Sequence, residues 1–179
     1  MSKEEGHTKE RIQAAALTLF RERGADRTSL REIAEQLDVT KAALYYHFRT
    51  KDELIASLAS PFVDGFRELL DAAEQGPDTD MARRLVEGYV DLLFDLRPLV
   101  AWLRDDLSVR AHPAVGPVLA SEGERLRRLL GGADMSFEEQ VRITAALGAL
   151  SAGVASFPDA GSAELRGPLL QATWAVLQK

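Results

Sequence analysis

Between Thr40 and Lys51 the sequence concentrates side chains that can contact an anionic, planar partner. The segment is TKAALYYHFRTK, with three cations, two tyrosines, a histidine and no acidic residue. Cations, hydroxyls and helix N-terminal N–H groups bind phosphate oxygens. Lysine suits guanine O6 and N7, while a small side chain or a ring suits the thymine methyl group. The chemistry that this segment indicates is contact with a nucleic acid.

Two short helices joined by a tight turn are predicted to position these side chains. Ser29 opens a capping box with the acidic residue three positions later, and apolar residues then repeat at helical intervals. Asp38 falls in the turn, where it can adopt a left-handed backbone. Thr40 can cap the second helix, whose inward side includes Leu44. The sequence therefore predicts a helix-turn-helix over about residues 29–48.

Residues 8 to about 55 resemble the DNA-binding domain of the tetracycline-repressor (TetR) family of bacterial transcription regulators. The resemblance rests on the order and spacing of four pieces, IQAAALTLFRERG, TSLREIAEQLDV, TKAALYYHF and TKDEL. The family usually has glycine where this chain has Asp38. The resemblance implies an all-α protein with two domains. Residues 1–55 would form a three-helix DNA-binding head, and residues 56–179 would form a helical ligand-binding and dimerisation domain.

The resemblance also implies which side chains meet DNA. Phosphate contacts are expected from Thr40, Tyr46 and Lys51. Base contacts are expected from Lys41, Ala42, Tyr45 and Arg31. The complete expected set is Arg31, Thr40, Lys41, Ala42, Tyr45, Tyr46, His47 and Lys51. The alternative is that Tyr45 and Phe48 belong to the core and that the cations are only solvated surface. For Phe48 we expect the core position.

Helical periodicity, without strand-type alternation, predicts about nine helices. The first is expected over about residues 8–23, and the fourth over about 50–75, where Pro61 should kink or divide it. A single sixth helix is expected over about residues 98–107. These helices must carry any function outside the head.

The eighth and ninth helices are predicted to form a dimer surface. The eighth contains ITAALGALSAGVAS, and its small side chains allow another helix to approach closely. Two such helices from each subunit would form a four-helix interface with two-fold symmetry, as in the homodimers of the family. The expected interface residues are Ala145, Gly148, Ala152, Leu170 and Trp174. The alternative is that both helices bury within their own monomer.

Aromatic residues are concentrated in the fourth to seventh helices of a chain that is only 7% aromatic. Small-molecule pockets are mostly apolar with a few polar groups, and the family resemblance implies a hydrophobic or aromatic ligand. The expected pocket residues are Phe62, Phe66, Tyr89, Trp102 and Asp106. The alternative is that these aromatic residues are ordinary core.

The composition of the chain excludes several kinds of site and gives no sign of a membrane segment. The chain lacks cysteine, which excludes disulfides and cysteine nucleophiles, and no apolar run or signal-peptide core indicates a membrane segment. We therefore expect a cytoplasmic bacterial protein.

The net charge of −6 lies outside residues 1–55, which hold ten basic and ten acidic residues. A local basic patch governs phosphate contact, because charges are screened beyond about 8 Å.

No catalytic or metal-binding constellation is evident, because the three histidines lie in unrelated contexts and no phosphate-binding loop is present. The sequence therefore predicts no enzyme, no metal and no cofactor. The expected function is a ligand-responsive homodimeric repressor that binds a palindromic operator in double-stranded DNA. As the resemblance implies, a ligand would shift the fourth helix and change the spacing of the two heads. The alternative is a helical small-molecule-binding or protein-interaction module without specific DNA binding.

Overall fold

A computed structural model describes residues 3–76 and 79–177, with side chains from residue 6 onward. These residues form ten helices and no strand, so the all-α expectation is confirmed. The helices are α1 (Lys3–Arg23), α2 (Leu30–Gln36), α3 (Lys41–His47), α4 (Lys51–Gln75), α5 (Met81–Asp95), α6 (Arg97–Asp105), α7 (Leu107–Arg110), α8 (Gly116–Gly131), α9 (Phe137–Ser156) and α10 (Ser162–Leu177). Within the described ranges, no helix is long and apolar enough to cross a membrane.

The chain divides into two compact units. The first comprises residues up to Pro61 together with Ala101–Pro117, and the second comprises Phe62–Val100 together with the residues from Val118 onward. The segment Ala101–Pro117 therefore joins the unit that contains the helix-turn-helix. The domain boundary after residue 55 stays a prediction.

Helix α1 and the helix-turn-helix both contribute buried apolar side chains to the first unit. Leu44 of α3 and Phe48 after it are buried together with Ile12 of α1. The ring of Phe20 stacks on Trp102, with centroids 5.6 Å apart. Burial of large apolar side chains is the main stabilising term in such a unit. The expected inward positions of Leu44 and Phe48 are confirmed.

Helix α4 runs without interruption through Pro61, so this proline does not divide it. Proline lacks the N–H that would donate to the carbonyl four residues earlier, which is that of Ser57. Gln13 of α1 supplies a substitute donor, because its Nε2 lies 3.4 Å from the Ser57 carbonyl oxygen and 2.8 Å from Ser57 Oγ. A side chain distant in sequence therefore compensates for the missing backbone donor.

The helix expected over residues 98–107 is two helices, α6 and α7, which raises the count from nine to ten. Asp106 separates them. Its backbone is extended (φ −91°, ψ 100°), and its side chain accepts a hydrogen bond from the N–H of Ser108, as an N-cap does. Aspartate side chains compete with helical hydrogen bonding in this way, so the predicted continuous helix was wrong at this residue.

Arginine side chains connect the helices of the second unit. Arg125 of α8 forms a bidentate pair with Glu74 of α4, at 2.7 Å from Nε and 2.6 Å from Nη2. Arg97 Nη1 donates to the carbonyl oxygens of Pro158 and Ala160, each at 2.8 Å, in the turn between α9 and α10. This turn brings α9 and α10 against each other.

Candidate nucleic-acid interface

Local capping interactions build the helix-turn-helix as the sequence predicts. Ser29 and Glu32 form the complete capping box at the start of α2. Asp38 has a positive φ of 53°, the left-handed conformation expected for the turn. Thr40 caps α3, and its Oγ1 accepts the N–H of Ala43 at 3.1 Å. Two short helices are therefore held in a defined orientation by side chains within 12 residues of one another.

Helix α3 presents one polar and aromatic face. Lys41, Ala42, Tyr45 and Tyr46 are exposed, with 45% of Tyr45 and 71% of Tyr46 accessible to solvent, while Leu44 is fully buried. Positions i, i+1, i+4 and i+5 of a helix lie on the same side. The exposed face therefore carries the predicted base-contacting side chains, and Tyr45 does not belong to the core.

The other side chains predicted to contact DNA each interact with a neighbouring group of the protein. His47 is half-buried, and its ring meets the Tyr46 ring edge to face, with centroids 5.2 Å apart. Arg31 Nε pairs with Glu35 at 2.7 Å on the exposed surface of α2. The hydrogen bond that Arg31 donates to the Glu35 carboxylate raises the pKa of Arg31. Lys51 is half-buried, and its Nζ donates to the carbonyl oxygen of Ala25 at 2.8 Å.

A surface concavity of about 490 Å³ brings several of these side chains together. The predicted contacts that line it are Arg31, Lys41, Tyr45 and Lys51. Thr40, Ala42, Tyr46 and His47 lie on α3 or at its cap and do not line it. Five cations and two acidic residues line the concavity, so its charge is positive although the whole chain is acidic.

Two of the lining cations, Arg27 and Arg49, were not predicted as DNA contacts. Arg27 lies two positions before the Ser29 cap of α2, and Arg49 lies two positions before Lys51, the first residue of α4. Proximity to helix ends that bind phosphate was the available sequence signal. The basic surface is therefore wider than the recognition helix.

The residues predicted for a ligand pocket fall into different units. In the second unit, the ring centroid of Phe66 lies 5.7 Å from that of Phe62 and 5.4 Å from that of Tyr89. Burial raises the pKa of Tyr89 to about 12, so its hydroxyl stays neutral. Trp102 and Asp106 belong to the first unit, where the Trp102 Nε1 donates to Asp106 at 3.2 Å. The pocket assignment stays a prediction.

The predicted dimer residues lie along the outer sides of α9 and α10. Ala145 and Gly148 are exposed, and Ala152, Leu170 and Trp174 are half-buried. The opposite side of α9 supplies core residues, including Ile143 and Leu150. A surface cleft of about 420 Å³ in the second unit is lined by Leu170 and Trp174 together with residues near the start of α5. The dimer interface also stays a prediction.

Comparison with known proteins gives the same assignment as the helix-turn-helix geometry. The profile of "Bacterial regulatory proteins, tetR family" matches residues 12–58. Residues 12–58 therefore match the TetR family. The probable transcriptional regulator YttP of Bacillus subtilis is 35% identical over 50% of this chain and 42% of its own length. The transcriptional repressor Rv3405c of Mycobacterium tuberculosis is 34% identical over 61% of this chain and 63% of its own length. The chain spans about half the length of such relatives.

Solved structures extend the TetR-family likeness of fold to almost the whole chain. The regulator PfmR from Thermus thermophilus has a TM-score of 0.69 and 23% identity, covering 94% of this chain and 97% of PfmR. SmeT in complex with triclosan has a TM-score of 0.67 and 19% identity, covering 94% of this chain and 90% of SmeT. The second unit, which the family profile does not match, therefore also follows a TetR-family fold.

Proposed function

We propose that this protein is a DNA-binding transcriptional regulator that represses its target genes. The observation that carries the proposal is the exposed face of α3, where Lys41, Ala42, Tyr45 and Tyr46 point outward from a helix anchored by buried Leu44. A recognition helix that enters the major groove needs such a narrow face of donors, rings and small side chains. A helical protein without a DNA partner has no physical need for this face.

The chemistry of each side chain suggests its role. Lys41 suits guanine O6 and N7, while Ala42 and the Tyr45 ring suit a thymine methyl group. Tyr46, Lys51 and the N-terminal end of α3 at its Thr40 cap suit phosphate oxygens, which fix the protein on the duplex. Arg31 and His47 lie at the margins of this surface.

The regulator acts as a homodimer in this proposal. Exposed Ala145 and Gly148 would let α9 of one subunit approach that of another closely. A two-fold dimer presents two recognition helices about one DNA turn, or roughly 34–36 Å, apart, and therefore favours a palindromic operator. A single head with few phosphate contacts binds DNA weakly, so dimerisation supplies the missing affinity.

A small hydrophobic or aromatic molecule would regulate binding from the second unit. The cluster of Phe62, Phe66 and Tyr89 supplies apolar surface and one hydroxyl, and the complex of SmeT with triclosan supports this type of ligand. To reverse a 99:1 preference for the DNA-binding state, the ligand must prefer the other state by about 5.5 kcal/mol. We place the protein in the bacterial cytoplasm and assign it no catalytic activity.

The experiment that tests this proposal is selection of bound duplexes from a random DNA pool at near-physiological salt. The expected result is enrichment of a palindrome whose half-site spacing reports the distance between the two recognition helices. A variant with Lys41 and Tyr46 both replaced by alanine serves as the matched control and should enrich no sequence. Folded, ligand-free wild-type protein that also enriches no sequence would contradict the proposal and favour a binding module on the same fold.

A further inference from the structure

The backbone of one buried residue in the first compact unit, Ala25, is held at its N–H and at its carbonyl by two charged side chains distant in sequence. The N–H of Ala25 donates to Oδ2 of Asp106 at 2.8 Å, and Lys51 Nζ donates to the Ala25 carbonyl oxygen at 2.8 Å. Ala25 is completely buried. Water therefore cannot replace either partner without opening the turn that Ala25 occupies.

The backbone before Ala25 explains why its N–H requires a partner from elsewhere. Gly24 adopts φ +87° and ends α1, with its own N–H donating to the Phe20 carbonyl at 2.8 Å. A left-handed glycine turns the chain out of the helix. The structure therefore satisfies the next N–H with a side chain, since buried N–H groups are rarely left unpaired.

Asp106 is itself held rigidly. Its Oδ2 also accepts the Trp102 indole N–H at 3.2 Å, and its Oδ1 accepts the N–H of Ser108 at 3.0 Å and the Ser108 hydroxyl at 2.6 Å. Desolvation raises the pKa of Asp106, but the hydrogen bonds from Ser108, Ala25 and Trp102 together lower it below its ordinary value. Asp106 is therefore an ionised acceptor between α6 and α7 that faces the end of α1.

The Ala25 turn leads directly into the DNA-facing surface. Arg27 follows two residues later and lines the basic concavity with Lys41 and Tyr45. Ser29, the cap of α2, comes next. Because α2 carries α3 through the tight turn at Asp38, the backbone direction at Ala25 sets how α3 is presented relative to α1.

We propose that Asp106 is a positioning residue for DNA recognition, which fixes the orientation of α2 and α3 by holding the N–H of Ala25. This proposal rests on the proposed function and adds a residue that touches no DNA. Loss of the Asp106 contact would leave every phosphate-binding cation in place. It would therefore reduce sequence preference without changing the number of phosphate contacts.

The test compares Asp106→Ala with the control Ser108→Ala, which removes a hydroxyl from the same carboxylate but leaves the Ala25 contact. Hydrogen exchange at the Ala25 amide reports the contact directly. Affinities for the selected operator and for random duplex, measured over a range of salt concentrations, report recognition. If Asp106→Ala does not fold, Asp106→Asn, which preserves the volume and removes one acceptor oxygen, undergoes the same measurements.

The expected result for Asp106→Ala is faster exchange at Ala25 and a loss of operator-over-random preference of about 2- to 30-fold, with an unchanged salt slope. Ser108→Ala should match the wild type in both measurements. Faster exchange with an unchanged preference, or unchanged exchange, would overturn the positioning role alone. A wild-type protein that prefers no sequence would overturn the proposed function and this role with it.

Discussion

Gly153 of α9 lies against Leu169 of α10, so closely that a Cβ at Gly153 would overlap the Leu169 side chain. Gly148, on the same helix, has open space where a Cβ would project. The two glycines therefore differ in role. Gly153 allows two helices of one chain to pack closely, whereas Gly148 lies on the outer side that we propose for the dimer.

Gly148→Leu should convert the dimer into a monomer, because a large side chain would separate two helices that meet through small residues. The helical content should be retained, since leucine has a higher helix propensity than glycine by about 0.5–1 kcal/mol. Sedimentation velocity and circular dichroism measure the two effects.

Gly153→Ala is the matched control for Gly148→Leu. It should sediment as the normal dimer, because its added methyl group meets the Leu169 side chain of the same subunit. A Gly148→Leu protein that sediments as a normal dimer would place the interface elsewhere.

Lys51→Ala should weaken binding to all duplexes and make the negative slope of log Kobs against log salt shallower by about one. The Lys51 ammonium donates to the Ala25 carbonyl, and a lysine has three N–H donors, so one can also reach a phosphate. Titrations of a labelled duplex at several salt concentrations measure the slope. Arg83→Ala, in an exposed pair with Glu87 of the second unit, should leave the slope unchanged. A wild-type slope for Lys51→Ala would remove Lys51 from the phosphate contacts.

The stability of the protein should decrease in acid partly through Glu74. The hydrogen bond from Arg125 lowers the pKa of Glu74 below its ordinary value of 4.5, against an opposing effect of desolvation. A carboxylate with a depressed folded pKa adds stability above its unfolded pKa, and this stability is lost as the pH falls through the folded pKa. The unfolding free energy of the wild type should therefore fall as the pH drops below about 4.5.

Arg125→Ala should show a smaller acid-induced fall, because Glu74 would then have a similar pKa in the folded and unfolded states. Urea unfolding between about pH 5 and about pH 3 measures the difference. Glu74→Gln removes the titrating group and should reduce the fall to a similar degree. Parallel pH profiles for the wild type and Arg125→Ala would show that the pair does not supply this acid sensitivity.

Features set by neighbouring residues were predictable from the sequence. The Ser29 capping box, the left-handed Asp38 and the Thr40 cap each depend on side chains within a few positions of one another. Helical periodicity likewise predicted that Leu44 is buried and that Tyr45 lies on the exposed side of α3. The family resemblance then supplied the expected roles of these exposed positions.

Features set by contacts between distant residues were not predictable. Pro61 lies in a continuous helix, and the Ser57 carbonyl that lacks its backbone donor is met by Gln13, 44 positions away in sequence. Asp106 reaches the Ala25 N–H across 81 positions, and no periodicity or capping rule connects them. In the structure the two oxygens of Asp106 accept four hydrogen bonds from the protein, and its assignment to a ligand pocket stays a prediction.

A substitution of Lys41 tests whether α3 recognises the operator through its exposed face. The measurement is equilibrium binding of wild type and Lys41→Ala to the selected duplex and to duplexes with each base pair substituted in turn. We expect Lys41→Ala to lose about 1–3 kcal/mol of discrimination at one base pair in each half-site, at symmetric positions. Equal losses on operator and random DNA would contradict recognition by this face.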